Sequence, residues 1–74
     1  MSILPALKPK QVISALEKAG FKFARQKGSH KIYKKDNTLL TIPFHNKDLK
    51  RGTLVHIIKQ AGLSIEEFID LLRK

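Results

Sequence analysis

Residues 21–42 decide the fold, and they read FKFARQKGSHKIYKKDNTLLTI. The stretch contains two short polar segments, at 27–29 and 35–37, whose Gly, Ser, Asp and Asn residues favour tight turns. The segments around these turns mix apolar and polar side chains, as half-buried strands do. We therefore predict three strands, at residues 21–26, 30–34 and 38–42, joined into an antiparallel meander.

A helix is predicted immediately before this stretch. Pro9 suits the first turn of a helix at residues 9–19, because its missing N–H is not needed there, and Gly20 suits the end. Residues 1–7 are interpreted as a loose leader segment, which either packs on the core or stays disordered.

Two further helices are predicted after the strands. Gly52-Thr53 opens the first, its apolar residues recur at helical spacing, and Gly62 ends it. Ser64 begins a short last helix, because Glu67 follows at the spacing of a capping box.

This order predicts an α+β fold, α-β-β-β-α with a short C-terminal helix. Its three-stranded antiparallel sheet is covered by helices on one face. Double-stranded-RNA-binding domains share the α-β-β-β-α order, although order alone is weak support for a function. We expect the covered face to bury Phe21, Phe23, Ile32, Leu40 and Ile42. The open face would carry Tyr33 and several lysines.

Length and composition exclude several classes of protein. The 74 residues allow one domain, spanning 1–74, and the absence of Cys excludes disulfide scaffolds and thiolate chemistry. No apolar run approaches the about 18 residues of a membrane-spanning helix. The N-terminus lacks the features of a signal peptide, so we expect a cytoplasmic protein with no membrane partner.

The basic charge indicates a polyanionic partner. Lys and Arg number 15 against 6 Asp and Glu, which gives a net charge of +9. Every charged residue from Lys22 to Lys35 is basic, whereas several acids lie in the last predicted helix. Such polarisation is typical of a nucleic-acid surface. The alternatives are a solvated surface, which usually mixes both signs of charge, and a membrane surface, which usually needs an amphipathic helix.

Short motifs then run along the chain: Gly20-Phe21, Arg25-Gln-Lys-Gly-Ser-His30, Pro43-Phe-His45, Leu49-Lys-Arg-Gly-Thr-Leu54, Lys59-Gln-Ala-Gly-Leu-Ser64 and Glu67-Phe68. Together they resemble the HicA (YcfA-like) family of toxin mRNA interferases from about residue 8 to the end. The resemblance implies a fold like that of double-stranded-RNA-binding domains and an RNA-cleaving activity. It also implies a HicB-like antitoxin that covers the active site, and no metal or organic cofactor.

The family's catalytic histidine corresponds to His30, and its motif glycine to Gly28. A histidine suits this chemistry, because an unperturbed pKa of about 6.5 lets it take a proton from the 2′-OH of RNA at working pH. Lys27 and Lys31 would stabilise the charge on the transition state, and Ser29 completes the motif. Against this, strict alternation puts His30 on the side of Ile32, and a histidine at the end of a strand is often structural.

Further residues are candidates for RNA contacts. Tyr33 could stack a base, and His45 could bind RNA or act as a second acid/base group. Basic residues before the second helix could hold a phosphate at its N-terminus. The full RNA-binding set is Lys22, Arg25, Lys31, Tyr33, Lys34, His45, Lys47, Lys50 and Arg51. Ordinary solvated surface is the alternative for each, and His56 is expected to be solvated.

Three functions remain open from the sequence. The first is a toxin that cleaves mRNA without metal and whose oligomeric state is set by its antitoxin complex. The second is a non-catalytic RNA-binding module that uses the same basic face. The third is a DNA-binding or adaptor module, which would be indifferent to the 2′-OH.

Overall fold

The computed structural model describes residues 4–74. Its elements follow the order α1 (Pro9–Lys18), β1 (Lys22–Lys27), β2 (His30–Lys35), β3 (Thr38–Pro43), α2 (Arg51–Gln60) and α3 (Ile65–Arg73). The predicted α+β order of helix, three strands and two helices is confirmed. The strands lie within one residue of their predicted bounds, and α2 begins one residue before the predicted Gly52.

The three strands form one antiparallel sheet in the order β1-β2-β3. The first hairpin turns at Gly28 and Ser29, between the paired residues Lys27 and His30. Gly28 has a φ of +59°, the left-handed value that a tight hairpin turn of this kind requires at its first central residue. The side-chain amide of Gln26 donates a 3.1 Å hydrogen bond to the Gly28 carbonyl, which braces the turn.

The helices cover one face of the sheet. Both α1 and α2 contact β3, and α1 also packs against α3. The sheet contributes Tyr33, Leu40 and Ile42 to the buried core. Because the helices meet the sheet chiefly at β3, every residue of β1 is exposed.

The predicted orientation of β2 was wrong. Tyr33, expected on the open face, is only 4% exposed and pairs with the buried Leu40. Ile32, expected inside, is half-buried and pairs with the exposed Thr41 on the open face. Burial raises the pKa of the Tyr33 hydroxyl, and the negative charge of Glu17 raises it further.

Phe23 was also predicted to be buried, and it is 53% exposed. It lies on the covered side of the sheet, where it is the cross-strand partner of Tyr33. The two rings meet edge to face, with 5.7 Å between their centroids. Among the described residues no helix packs extensively on β1, so this ring remains open to solvent. Phe21, just before β1, is buried as predicted.

The described part of the segment before α1 packs on the core rather than lying loose. Leu4 and Leu7 are buried, and the backbone N–H of Leu49 donates a 2.8 Å hydrogen bond to the Leu7 carbonyl. Residues 1–3 of the predicted leader lie outside the described residues.

The predicted capping box of α3 is confirmed. The N–H of Glu67 donates to the Ser64 hydroxyl at 3.0 Å, and the N–H of Ser64 donates to the Glu67 carboxylate at 2.8 Å. The pKa of the Glu67 carboxyl is lowered first by the bond that it accepts from the Ser64 N–H and second by the nearby Ser64 hydroxyl. The cap fixes where α3 begins and therefore how Phe68 enters the core.

Candidate functional site

Side chains on the open face of the sheet form three rows, each crossing all three strands. Cross-strand pairing defines the rows as Lys22, Lys34 and Leu39, then Arg25, Ile32 and Thr41, then Lys27, His30 and Pro43. Residues paired across a sheet share a face, so His30 lies on the open face between a lysine and a proline.

An irregularity in β1 produces this arrangement. Strict alternation would place Arg25 on the same face as Phe23, because they are two residues apart. The register shifts between Phe23 and Arg25, and the extra residue Ala24 is taken up there as a bulge. As a result Lys22, Arg25 and Lys27 all share the open face. Bulges of this type commonly re-aim side chains beside functional sites.

His30 lines a shallow concavity of about 580 Å³ on this face. The lining residues are Arg25, Lys27, Gly28, Ser29, His30, Ile32 and Thr41. The conflict noted from the sequence is resolved: His30 does share a face with Ile32, and that face is the open one. The imidazole is therefore exposed to solvent and accessible to a ligand.

The chemistry available in the concavity is that of an anion site with an acid/base group. Arg25 and Lys27 supply positive charge from the edge strand β1, one of two edge strands, and His30 supplies a nitrogen that can take or give a proton. Gly28 and Ser29 shape the turn at the end of the concavity. A phosphodiester fits this combination of groups, since its oxygens accept from cations.

Lys31 lies away from this concavity, although it is the neighbour of His30 in sequence. It points to the covered side of the sheet, where its Nζ lies 3.9 Å from the centroid of the Phe44 ring. The predicted role of Lys31 beside His30 therefore lacks geometric support, and so does stacking of a base on the buried Tyr33. Lys34 does share the open face.

The loop after β3 begins beside the His30 turn, where the Phe44 N–H bonds to the Ser29 carbonyl. Its residues His45 and Lys47 are exposed, and the His45 Nδ1 accepts a 3.2 Å hydrogen bond from the Lys47 N–H. Lys50 precedes α2, and Arg51 lines a separate cavity beside Leu4. Neither His45 nor these basic residues line the concavity.

Sequence reasoning missed the residues that complete the open face, namely Leu39, Thr41 and Ile32. A signal for the first two was present, because Leu40 and Ile42 were correctly placed inside and alternation then sends Leu39 and Thr41 outward. The meander was predicted, but the shifted register that brings Arg25 beside Ile32 depends on the bulge at Ala24, which alternation does not show.

Two kinds of feature are absent from residues 4–74. No three or more His, Cys, Asp or Glu side chains in this part of the chain lie together in a group that could hold a metal ion. No helix among those that the structure describes is long and apolar enough to cross a membrane.

Comparison with known proteins matches the chain to one family. The family model for the HicA toxin of bacterial toxin–antitoxin systems matches residues 9–63, which include the whole sheet and every residue lining the concavity. No curated protein sequence matches the chain. A toxin of this kind implies an antitoxin partner. The match covers more than half of the 74 residues, so the chain belongs to the HicA toxin family.

Proposed function

We propose that this protein is a ribonuclease toxin that cleaves mRNA in the cytoplasm without a metal ion, using His30 as its acid/base group. The single observation that carries the proposal is the position of His30, exposed in a concavity that also holds Arg25 and Lys27. Membership of the HicA toxin family adds support, because that family is known for ribonuclease toxins.

In the proposed reaction, His30 takes the proton from a ribose 2′-OH. The 2′ oxygen then attacks the adjacent phosphorus, and the bond from phosphorus to the 5′ oxygen of the next nucleotide breaks. The products are a 2′,3′-cyclic phosphate and a 5′-OH, with the leaving oxygen protonated by water or by the imidazolium. Arg25 and Lys27 stabilise the negative charge that builds up on the phosphoryl oxygens.

The proposed regulator is an acidic antitoxin of the HicB type that covers His30. A surface with net charge +9 that binds RNA can be blocked by a protein of opposite charge. We expect that affinity to fall as salt concentration rises, because part of the attraction is between exposed charges. The oligomeric state would be that of the antitoxin complex.

The test is a cleavage assay on a defined RNA in the presence of EDTA. Wild type is compared with His30→Ala and with the control His56→Ala, whose histidine is exposed on α2 and does not line the concavity. We expect His30→Ala to lose about 10²–10⁴-fold in rate and His56→Ala to match wild type. Circular dichroism shows whether the variants are folded.

Two other outcomes would contradict the proposal. If all three proteins bind RNA and none cuts it, the chain is a binding module that uses the same basic face. If all three cut equally, the activity does not depend on His30.

A further inference from the structure

We propose that the open face binds single-stranded RNA in one orientation, with phosphates along β1 and bases over β3. In this arrangement Leu39 contributes to the choice of nucleotide near the cut. The inference deepens the proposed function and rests on it, because it names the parts of the substrate that each strand would contact.

The phosphate side is the cationic edge, which we define as Lys22, Arg25 and Lys27. All three side chains are exposed, and the bulge at Ala24 places all three on the open face. They lie on one strand, one in each of the three rows, so they form a line of positive charge alongside β2. Such a line suits a chain of phosphates better than it suits a single anion.

The base side is the aliphatic bed, which we define as Leu39, Thr41 and Ile32. Leu39 is 55% exposed, and it is one of two large apolar side chains exposed to this degree among the described residues. The other is Phe23, which lies beside Tyr33 on the covered side of the sheet and not on the open face. Bases on the open face would therefore rest on aliphatic carbon, without the aromatic stacking used by many single-strand binders.

The spacing of the sheet agrees with this assignment. Neighbouring strands lie about 4.8 Å apart, so β1 and β3 are separated by roughly 10 Å, a span that one nucleotide covers from phosphate to base edge. Rows two residues apart are separated by about 7 Å, comparable with one nucleotide of an extended strand. An RNA duplex does not fit this division, because stacking of neighbouring base pairs inside the duplex hides the base faces from the aliphatic bed.

The position of His30 gives the face a direction. His30 belongs to the row nearest the Gly28–Ser29 turn, and the other two rows lie on one side of it only. The scissile phosphate would therefore sit at one end of the bound stretch. Leu39, two rows away, would contact a base about two nucleotides from the cut and on one side of it.

The first test compares Leu39→Ser with Phe23→Ser in cleavage of short RNAs that differ at single positions. The two residues are matched in exposure and lie on opposite faces of the same sheet. For Leu39→Ser we expect KM to rise roughly fivefold, as for loss of one apolar contact, with kcat within about twofold of wild type. Nucleotide preference should weaken at one position on one side of the cut. Phe23→Ser should retain the wild-type preference.

The second test does not depend on cleavage. A 2′-O-methyl RNA lacks the nucleophile, so its binding to wild type, Leu39→Ser and Phe23→Ser is measured by titration, with chemical shifts followed by NMR. We expect shifts at Leu39, Thr41 and Ile32, and weaker binding for Leu39→Ser alone. This outcome supports the inference even if wild type cuts no RNA, which would overturn only the proposed nuclease.

The inference is overturned if Leu39→Ser equals wild type in KM, preference and binding, or if the RNA shifts Phe23 and Tyr33 in place of the aliphatic bed. Those outcomes would mean that the open face binds something other than single-stranded RNA, and a protein partner would be the remaining candidate. Similar loss of binding in both serine variants would also count against it, because the effect would then not be specific to the open face.

Discussion

The backbone N–H of Phe44 donates a 2.7 Å hydrogen bond to the carbonyl of Ser29. This bond joins the residue after β3 to the turn that precedes His30. The ammonium group of Lys31 lies over the ring of the same Phe44. Phe44 therefore contacts both sequence neighbours of His30, Ser29 through its backbone and Lys31 through its ring. Phe44 thus holds the end of the concavity by one backbone bond and by one side-chain contact on the covered side of the sheet.

The two lysines flanking the motif should differ in their effect on cleavage. Lys27→Met removes a cation from the concavity and should slow cleavage by roughly tenfold or more, in line with loss of a transition-state contact. Lys31→Met should change the rate little, because this lysine faces Phe44 on the other side. Rate measurements at saturating RNA separate the two variants. Equal losses would mean that Lys31 reaches the substrate after all.

Stability should respond oppositely at two glycines. A Cβ at Gly28 meets no atom within 4 Å, so Gly28→Ala should cost only the strain of a φ of +59°, about 1–2 kcal/mol in the free energy of unfolding. Gly52 is equally open, but it lies within α2 and is not in the positive-φ region. Gly52→Ala should therefore be neutral or stabilise by up to about 1 kcal/mol. Urea unfolding measures both, and equal destabilisation would contradict the role given to backbone strain.

Acid should weaken the start of α3. The pKa of Glu67 is lowered in the folded state, first by the Ser64 N–H and then by the Ser64 hydroxyl. The stabilisation is therefore complete above the unfolded pKa of the carboxyl and is lost as pH falls through the lower folded value. In Glu67→Gln this contribution does not titrate. The urea midpoint of the variant should therefore fall less than that of wild type between about pH 6 and about pH 3, the range in which carboxyl groups usually titrate. Parallel curves for the two proteins would refute the assignment.

Salt should distinguish the cationic edge from the rest of the basic surface. If Lys22 and Lys27 each neutralise one phosphate, Lys22→Gln and Lys27→Gln should each reduce the slope of log binding constant against log salt by about 0.7–1 for single-stranded RNA. Lys59→Gln, on the exposed side of α2, should leave the slope unchanged. Titrations of 2′-O-methyl RNA at several salt concentrations measure these slopes. A uniform effect of all three substitutions would show that binding is spread over the whole surface.

The order of elements was predictable because its signals are local. Gly20, the polar turn at 27–29 and the Ser64 capping box each constrain the backbone where they stand, and the structure has an element boundary at each. The identity of the open face was harder. Ile32 and Tyr33 are adjacent, so alternation allows either one to face the helices, and the packing of Tyr33 opposite Leu40 decides between them.

The candidate site was predictable in part for the same reason. His30 and Lys27 came from a motif, and both line the concavity. Arg25 reaches it only through the bulge at Ala24, which no alternation rule supplies. The exposure of Phe23 depends on how far the helices extend across the sheet, a tertiary property that the sequence of β1 does not contain.

The free backbone edge of β1 bears on whether the protein aggregates at high concentration. Within the described residues β1 pairs with β2 alone, so its other edge offers backbone groups to which a strand of a second molecule could bond. Two copies meeting there would bring Lys22, Arg25 and Lys27 against one another, and repulsion between like charges discourages the fibrous assembly that bare sheet edges invite. Neutralising these charges by substitution would remove that protection, so concentrated charge-depleted variants should precipitate more readily than wild type.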